Sequence, residues 1–342
     1  MTNFVNNSTK SMKYFSTIFL AVSLLAAGCS SSGNGSDAGD AATSASFTRL
    51  DKVVTQFPQL SPTRQHAIVD SLTVPLNDYI YLMGASTGDI PASIDSLSHT
   101  AAFAMFEPEV DKAFPSTASI EKQLGVLDAN IRHQLPTLPH YSYYGIISPY
   151  RQQVMLVDSV VYVALNHYLG AGHEAYSSMP EYSRATKTPT YIPLDIAEAI
   201  VAIEYPFVAD SAPTAIQYFL YEGALLKAVA DLTDTTDTAT LMGWTPDQLS
   251  HAEAQQGAIW RKMAADNIIY STDMSLARRL CAPAPSAMPV SPTLPGRICR
   301  YIGYRIVDSY LANNSGTSLS DLLSPTFYNS PSTLINSGYS PK

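Results

Sequence analysis

Few residues in this 342-residue chain combine the types and spacings that catalysis needs. Gly84-Ala85-Ser86-Thr87-Gly88 spells GxSxG, the nucleophile elbow whose serine must sit between a strand and a helix. Leu72, Leu76, Ile80 and Met83 precede it at helical spacing and Pro91 follows, so the segment reads as a helix end in a Gly-rich turn. The histidines are His66, His99, His133, His140, His167, His173 and His251. No two stand at i, i+4, so an HExxH zinc helix cannot be built from them. His173-Glu174 begins that motif, but Ser177 stands where the second histidine belongs. His167 and His173 flank Gly170 and Gly172, and a metal there would need distant ligands.

The carboxylates offer more. Asp195 and Glu198 lie one turn apart, opposite a stripe of Ile192, Ile196, Ile200 and Ile203. Paired acids serve acid–base catalysis only when burial separates their pKa values, and a face opposite an apolar stripe is ordinarily solvated. Glu222, between Tyr221 and Gly223, sits inside an apolar helical row and reads as a buried hydrogen-bonding carboxylate or a ligand. Asp231, Asp234 and Asp237 are spaced by three, which does not fit a calcium loop and suits a solvated loop. Trp244, Trp260 and the 21 tyrosines could line a cleft, although core packing is the default for aromatic side chains.

The elements that must position these residues are mostly helical. Ile120, Leu124, Leu127 and Ile131 recur at helical spacing, with Ser119 as a possible cap and Glu121 in the first turn. Ile216, Leu220, Gly223 and Lys227 share a helical row. Thr245-Pro246-Asp247-Gln248 is a capping box with proline at the first helical position, and the pattern predicts one helix to about Asp266. Ile298, Ile302, Arg305, Ile306 and Ser309 mark another long helix. Tyr141 to Ser148 reads as a strand; Val154 to Leu165 is a second strand or a strand entering a helix. The prolines from Pro283 to Pro295 make 282–296 a loop, and the tail from Ser324 onward reads as irregular. There is no internal repeat.

The N-terminus predicts export. Lys10 and Lys13, the apolar run Tyr14 to Leu25, and Leu25-Ala26-Ala27-Gly28-Cys29 read as a lipoprotein leader, with Cys29 acylated after cleavage. Met12, before Lys13, reads as the natural start. Ser30 to Ser46 has no large apolar side chain and reads as a tether reaching roughly 23 Å. Loss of residues 1–28 removes two lysines and no acid, taking the net charge from -9 to -11. A chain with this acidic balance and no basic cluster is not a nucleic-acid binder. Its 46% hydrophobic content excludes global disorder. Cys281 and Cys299 remain; an oxidising periplasm permits a disulfide between them, and two separate buried thiols are equally compatible.

Several segments, in order along the chain, resemble the gliding-motility lipoprotein GldB family of the Bacteroidota. They include Leu165 to Gly170, Pro180-Glu181-Tyr182, Tyr191-Ile192, Tyr221-Glu222-Gly223 and Gly243-Trp244-Thr245. Ile259-Trp260, Tyr270 to Asp273, Ala284-Pro285, Pro295-Gly296-Arg297, Ile302 to Tyr310 and Ser337 to Lys342 continue the order. Asn166 replaces an aspartate of the family pattern. The resemblance implies an α+β, mainly α-helical, zincin-like single domain over 47–342 with a small sheet. It also implies that Asp195, Glu198, Tyr221 and Glu222 mark a relict cleft of a degenerate peptidase, without metal or cofactor. The expected protein is a non-catalytic envelope lipoprotein, anchored through Cys29 and facing the periplasm, with the outer membrane favoured. Its expected partners are envelope proteins. The alternatives are a cryptic metallohydrolase built on Glu222 and a small-ligand-binding lipoprotein.

Overall fold

The computed structural model describes residues 44–342 apart from Thr87 and Asp210. The leader, Cys29 and the tether through residue 43 lie outside the described residues. The first strand is β1 (Phe47–Arg49), and just before it Ala45 N already donates to Glu121 O at 3.0 Å, within the segment expected to be tether. Six helices follow: α1 (Leu50–Gln56), α2 (Pro62–Ser71), α3 (Thr73–Leu82), α4 (Ile90–Ser98), α5 (Ala101–Ala113) and α6 (Ala118–Gln134). Helix α3 ends just before the GxSxG segment, and Gly84 takes a positive φ of 76° in the turn, so no strand feeds Ser86. The elbow reading fails for that reason. Thr117, not Ser119, is the N-cap residue of α6, and its hydroxyl donates to Glu121 Oε1 at 3.0 Å.

The strands are β2 (Ser142–Ile146), β3 (Val154–Val157) and β4 (Val160–Ala164). Their β-branched and aromatic residues suit a pleated, half-buried surface. The sheet order is β1-β2-β4-β3, with β1–β2 and β2–β4 parallel and β3–β4 antiparallel. The Val154 to Leu165 segment is therefore a tight hairpin, turned at Asp158 with φ 51°, and not one element. Arg49, ending β1, grips the buried Asp51 (Nε to Oδ1, 2.7 Å) and donates to Phe114 O at 3.1 Å, tying the sheet edge to the helices.

The second half is helical: α7 (Glu181–Arg184), α8 (Ile192–Glu204), α9 (Ala215–Leu232), α10 (Thr238–Met242), α11 (Pro246–Ala254), α12 (Gln256–Ala265), α13 (Met274–Cys281) and α14 (Ile298–Asn313). The short helices α15 (Leu319–Leu322), α16 (Pro325–Asn329) and α17 (Pro331–Ser337) complete it. The capping box at Thr245 forms as expected. The single helix expected to Asp266 breaks at Gln255, and the chain end packs there: a Cβ at Gly257 would lie 1.9 Å from Lys342 O. The tail is not irregular either. Ser324-Pro325 and Ser330-Pro331 each place proline at the first helical position, where its fixed φ favours a helix start. Residues 282–296 form the expected loop, without a helix or named strand. Among the described residues no helix is long and apolar enough to cross a membrane.

Helix α8 lies on β3 and β4, α9 packs on α6 and α8, and α14 packs on α9, α13 and α17. At the α9–α14 crossing the backbones touch. A Cβ on Gly303 would stand 1.8 Å from Phe219 O, and one on Gly223 would stand 2.2 Å from the Gly303 carbonyl carbon. Gly303→Ala must push two long helices apart, an overpacking cost of about 3 kcal/mol. Gly172→Ala, where a Cβ meets nothing within 4 Å, should stay within about 0.5 kcal/mol of the parent. Urea unfolding midpoints of the two variants check the contrast.

Candidate functional site

The glycine crossing sets the charges of the interior. Glu222 precedes Gly223 on α9, and Arg300 lies three residues before Gly303 on α14. The Arg300 side chain is 5% exposed; its Nη1 meets Glu198 Oε1 at 3.0 Å and its Nε meets Glu222 Oε2 at 3.4 Å. The Nε contact is electrostatic only, since Nε and Nη2 have no aligned hydrogen-bond acceptor. Glu222, 14% exposed, is thus the buried acid its apolar neighbours suggested, and its partner is a cation from the facing helix. Burial pushes the Glu198 carboxyl up, but Arg300, by charge and hydrogen bond, and then Arg297 outweigh it and hold it below the usual range. Glu198 nonetheless keeps 40% of its side chain accessible, so it is walled by protein yet wet.

Asp195 is not on a solvated face, and that expectation fails. Helix α8 is covered by the sheet on one side and by α6 and α9 on others, so Asp195, opposite the isoleucines, points inward, while Glu198 one turn on keeps partial access to water. Asp195 Oδ2 accepts hydrogen bonds from Gln153 Nε2 at 2.7 Å and Tyr168 OH at 2.8 Å. Burial pushes its carboxyl up to about 7, against the lowering effect of the Tyr168 hydrogen bond, with Glu198 adding to the rise. Lys187 extends this network, donating to Gln153 Oε1 at 3.2 Å and lying 3.0 Å from His167 Nδ1. His167 Nε2 faces Tyr150 O at 2.8 Å and so carries the proton, leaving Nδ1 to accept from Lys187. Burial and the Lys187 charge lower the imidazole to about 4.

The remaining candidates take structural places. Tyr221 is buried in an aromatic cluster with Phe207, Tyr218 and Tyr328, ring centres 5.3–6.1 Å apart. His173 pairs with Glu109 at 3.1 Å. Asp237 caps α10, accepting from Ala239 N and Thr240 N, while Asp231 pairs with Lys227 at 2.6 Å. Trp260 packs edge-on against Tyr339. Cys281 and Cys299 are both buried and carry free thiols. Among the described residues, no three His, Cys, Asp or Glu side chains gather as metal ligands.

An open cleft lies beside this cluster, with a volume of about 650 Å³. Its walls come from Pro180-Glu181-Tyr182, Tyr191, Gly243-Trp244-Thr245, Ala284-Pro285 and Pro295-Gly296-Arg297, five separate segments of the ordered resemblance. Two glycines make it possible. Gly243 ends α10 at φ 65°, and a Cβ there would meet Arg297 Nη1 at 3.0 Å. Gly296 passes so close to Ala284 that a Cβ would lie 2.3 Å from its nitrogen. Trp244 is fixed by its indole N–H donating to Gly296 O at 3.0 Å. Arg297 separates the two regions: it lines the cleft and faces Glu198 and Asp195 behind it. Reading single acids missed Arg297, Arg300 and Lys187. The available signal for Arg300 was its place within the apolar stretch Ile298 to Ile302, which folding can bury on all sides only if the cation has a partner.

The sign of the pH response follows from the shifts. Asp195, raised in the fold, binds a proton between about pH 4 and 7 that the unfolded chain has lost, so it destabilises the fold as pH rises. His167, lowered, does the opposite between about pH 4 and 6.5. The two nearly cancel. Asp195→Asn keeps both hydrogen-bond acceptances and removes one side of the balance. Its stability relative to the parent should climb between pH 4 and 7, by on the order of 4 kcal/mol. Urea titrations at pH 4.5, 6 and 7.5 read this; a constant difference would refute the assignment.

Similarity to other proteins agrees with the ordered segments. The family model described as gliding motility protein GldB matches residues 33–341. No curated protein and no solved structure matches the chain. With nearly its whole length matched, this chain belongs to the gliding motility protein GldB family.

Proposed function

We propose that the chain is a non-catalytic cell-envelope lipoprotein of the gliding-machinery kind, anchored through acylated Cys29, that binds partner proteins through its open cleft. The observation that carries the reading is the Arg300 guanidinium lying between Glu198 and Glu222. In a zincin-like ancestor, the helix of Asp195 and Glu198 and the downstream Glu222 would converge on a metal. Here a side-chain cation neutralises the same acids. Hydrolysis at this place would first require Arg300 to leave, which would deprive the largely buried Glu222 of its cation and Glu198 of its ion pair. The cryptic metallohydrolase reading is weaker for that reason. The cleft supports binding instead, because apolar and aromatic walls with a few fixed polar groups are what a recognition pocket needs.

The test is made in envelope preparations from cells expressing the full chain. Cys29→Ala should move the protein from the membrane to the soluble fraction; unchanged membrane association would remove the anchor. Affinity capture from detergent extracts should recover a defined set of envelope proteins. Tyr182→Ala, on the cleft wall, should lose them. Capture no different from that by an unrelated lipoprotein sinks the binding role.

A further inference from the structure

Arg297 is a cation without a counterion. It sits at the left-handed φ of 67° just before α14, held between Gly296 and Ile298. Its Nη1 donates to Met242 O at 2.8 Å, its Nε is sealed without a partner, and its Nη2 makes no hydrogen bond among the described residues. No carboxylate lies within ion-pair distance of it among those residues. The acids behind it are engaged elsewhere, Glu198 with Arg300 and Asp195 with Tyr168 and Gln153. A guanidinium so far withdrawn from water and left unpaired is costly, and an anion in the cleft would relieve that cost.

The cleft selects the kind of anion. Arg297 and Glu181 are its charged lining residues, and Glu181 is exposed at the rim. One guanidinium matches a monoanion, whereas a phosphate dianion calls for more positive donors. Prolines in the wall, Pro180, Pro246, Pro283, Pro285 and Pro295, remove backbone N–H groups that a phosphate nest or an added strand would use. Trp244 Nε1 is committed to Gly296 O and Thr245 to Gln248 in their capping box, which leaves the Tyr182 and Tyr191 hydroxyls as the neutral side-chain groups not so engaged among the described residues. Few groups remain for the hydroxyls of a sugar. The rest of the surface is aromatic and aliphatic and suits apolar side chains. The chain's own last residue packs at Gly257 and is not part of this cleft.

Resting on the reading of the chain as a binder of proteins, we propose that the cleft captures the free C-terminal carboxylate of a partner chain ending in apolar residues, with Arg297 as the carboxylate anchor. A planar carboxylate fits the Nη1–Nη2 end of the guanidinium, and the final side chains lie against Trp244, Tyr182 and Tyr191.

The experiment uses the full chain carrying Trp260→Phe, so that Trp244 is the one indole reporter. The probes are acetyl-Ala-Leu-Phe with a free carboxylate, the same peptide as its carboxamide, and methyl glucuronide. The acid should change Trp244 emission and bind at least 10-fold more tightly than the amide. Arg297→Gln should erase that difference, and Arg297→Lys should retain part of it. If Arg297→Gln does not fold, the acid–amide ratio on the parent and its weakening in Tyr182→Ala decide the matter. Equal binding of acid and amide, no binding of either at millimolar concentration, or tighter binding of the glucuronide overturns the proposal. Envelope proteins still captured through Tyr182 when the acid fails would leave the binding role standing and remove only the C-terminus as its target. An intact acid preference with no envelope protein captured would do the reverse.

Discussion

Two helices that touch backbone to backbone set the geometry of this protein. At Gly223 and Gly303 neither α9 nor α14 has room for a methyl group, so the helices cannot slide or rotate without opening a gap or a clash. That contact fixes where Glu222 and Arg300 stand, because each lies within one turn of the crossing. It also fixes the start of α14, and so the place of Arg297 and of the Gly296 that admits the loop from Ala284. A pair of glycines thereby governs the charge arrangement of the interior and the inner wall of the cleft.

The charge cluster is a matter of pairing more than of strength. Arg300 is held by two acids and offers them one good hydrogen bond, so its attraction is shared and imperfect. Buried pairs of this kind add little net stability compared with apolar packing, while the loss of one partner is expensive. Their effect is to make the interior intolerant of rearrangement: only these α8, α9 and α14 registers bring the three side chains together, and they do so with Arg300 Nε and Nη2 still lacking a hydrogen-bond acceptor.

Much of this was legible in the sequence where local rules dominate. The Thr245 capping box, the proline-rich loop, the Tyr141 strand and the end of the GxSxG helix each follow from short-range sterics or hydrogen bonding. The failures are tertiary. The tail helices start at Ser-Pro pairs that a reading by composition took for irregular chain, and the break at Gln255 coincides with the docking of Lys342 at Gly257. Asp195 was misplaced because one apolar stripe suggests one buried face, whereas α8 is enclosed on several. Glu222 drew notice, yet its partner did not, since the match joins residues 78 positions apart on two helices. The ordered family segments carried information of another kind. Scattered along the chain, five of them meet around the cleft, which no periodicity would reveal.

Arg297 joins the two regions into one electrostatic unit. Behind it, Arg300 and Lys187 add positive charge, Arg300 holds Glu198 below the usual carboxylate range, and Asp195, titrating at about 7, is about half ionised near neutrality. Arg297 is the one cationic residue lining the cleft, in a chain whose total charge is -9. An isolated positive pocket on an acidic molecule concentrates the field at one point, because the low-dielectric walls keep water from screening it. Asp195 could have balanced Arg297 by ionising fully, but its burial beneath Tyr168 and Gln153 opposes that. The same desolvation that half-silences the acid leaves the guanidinium at the cleft wall without an ion-pair partner among the described residues.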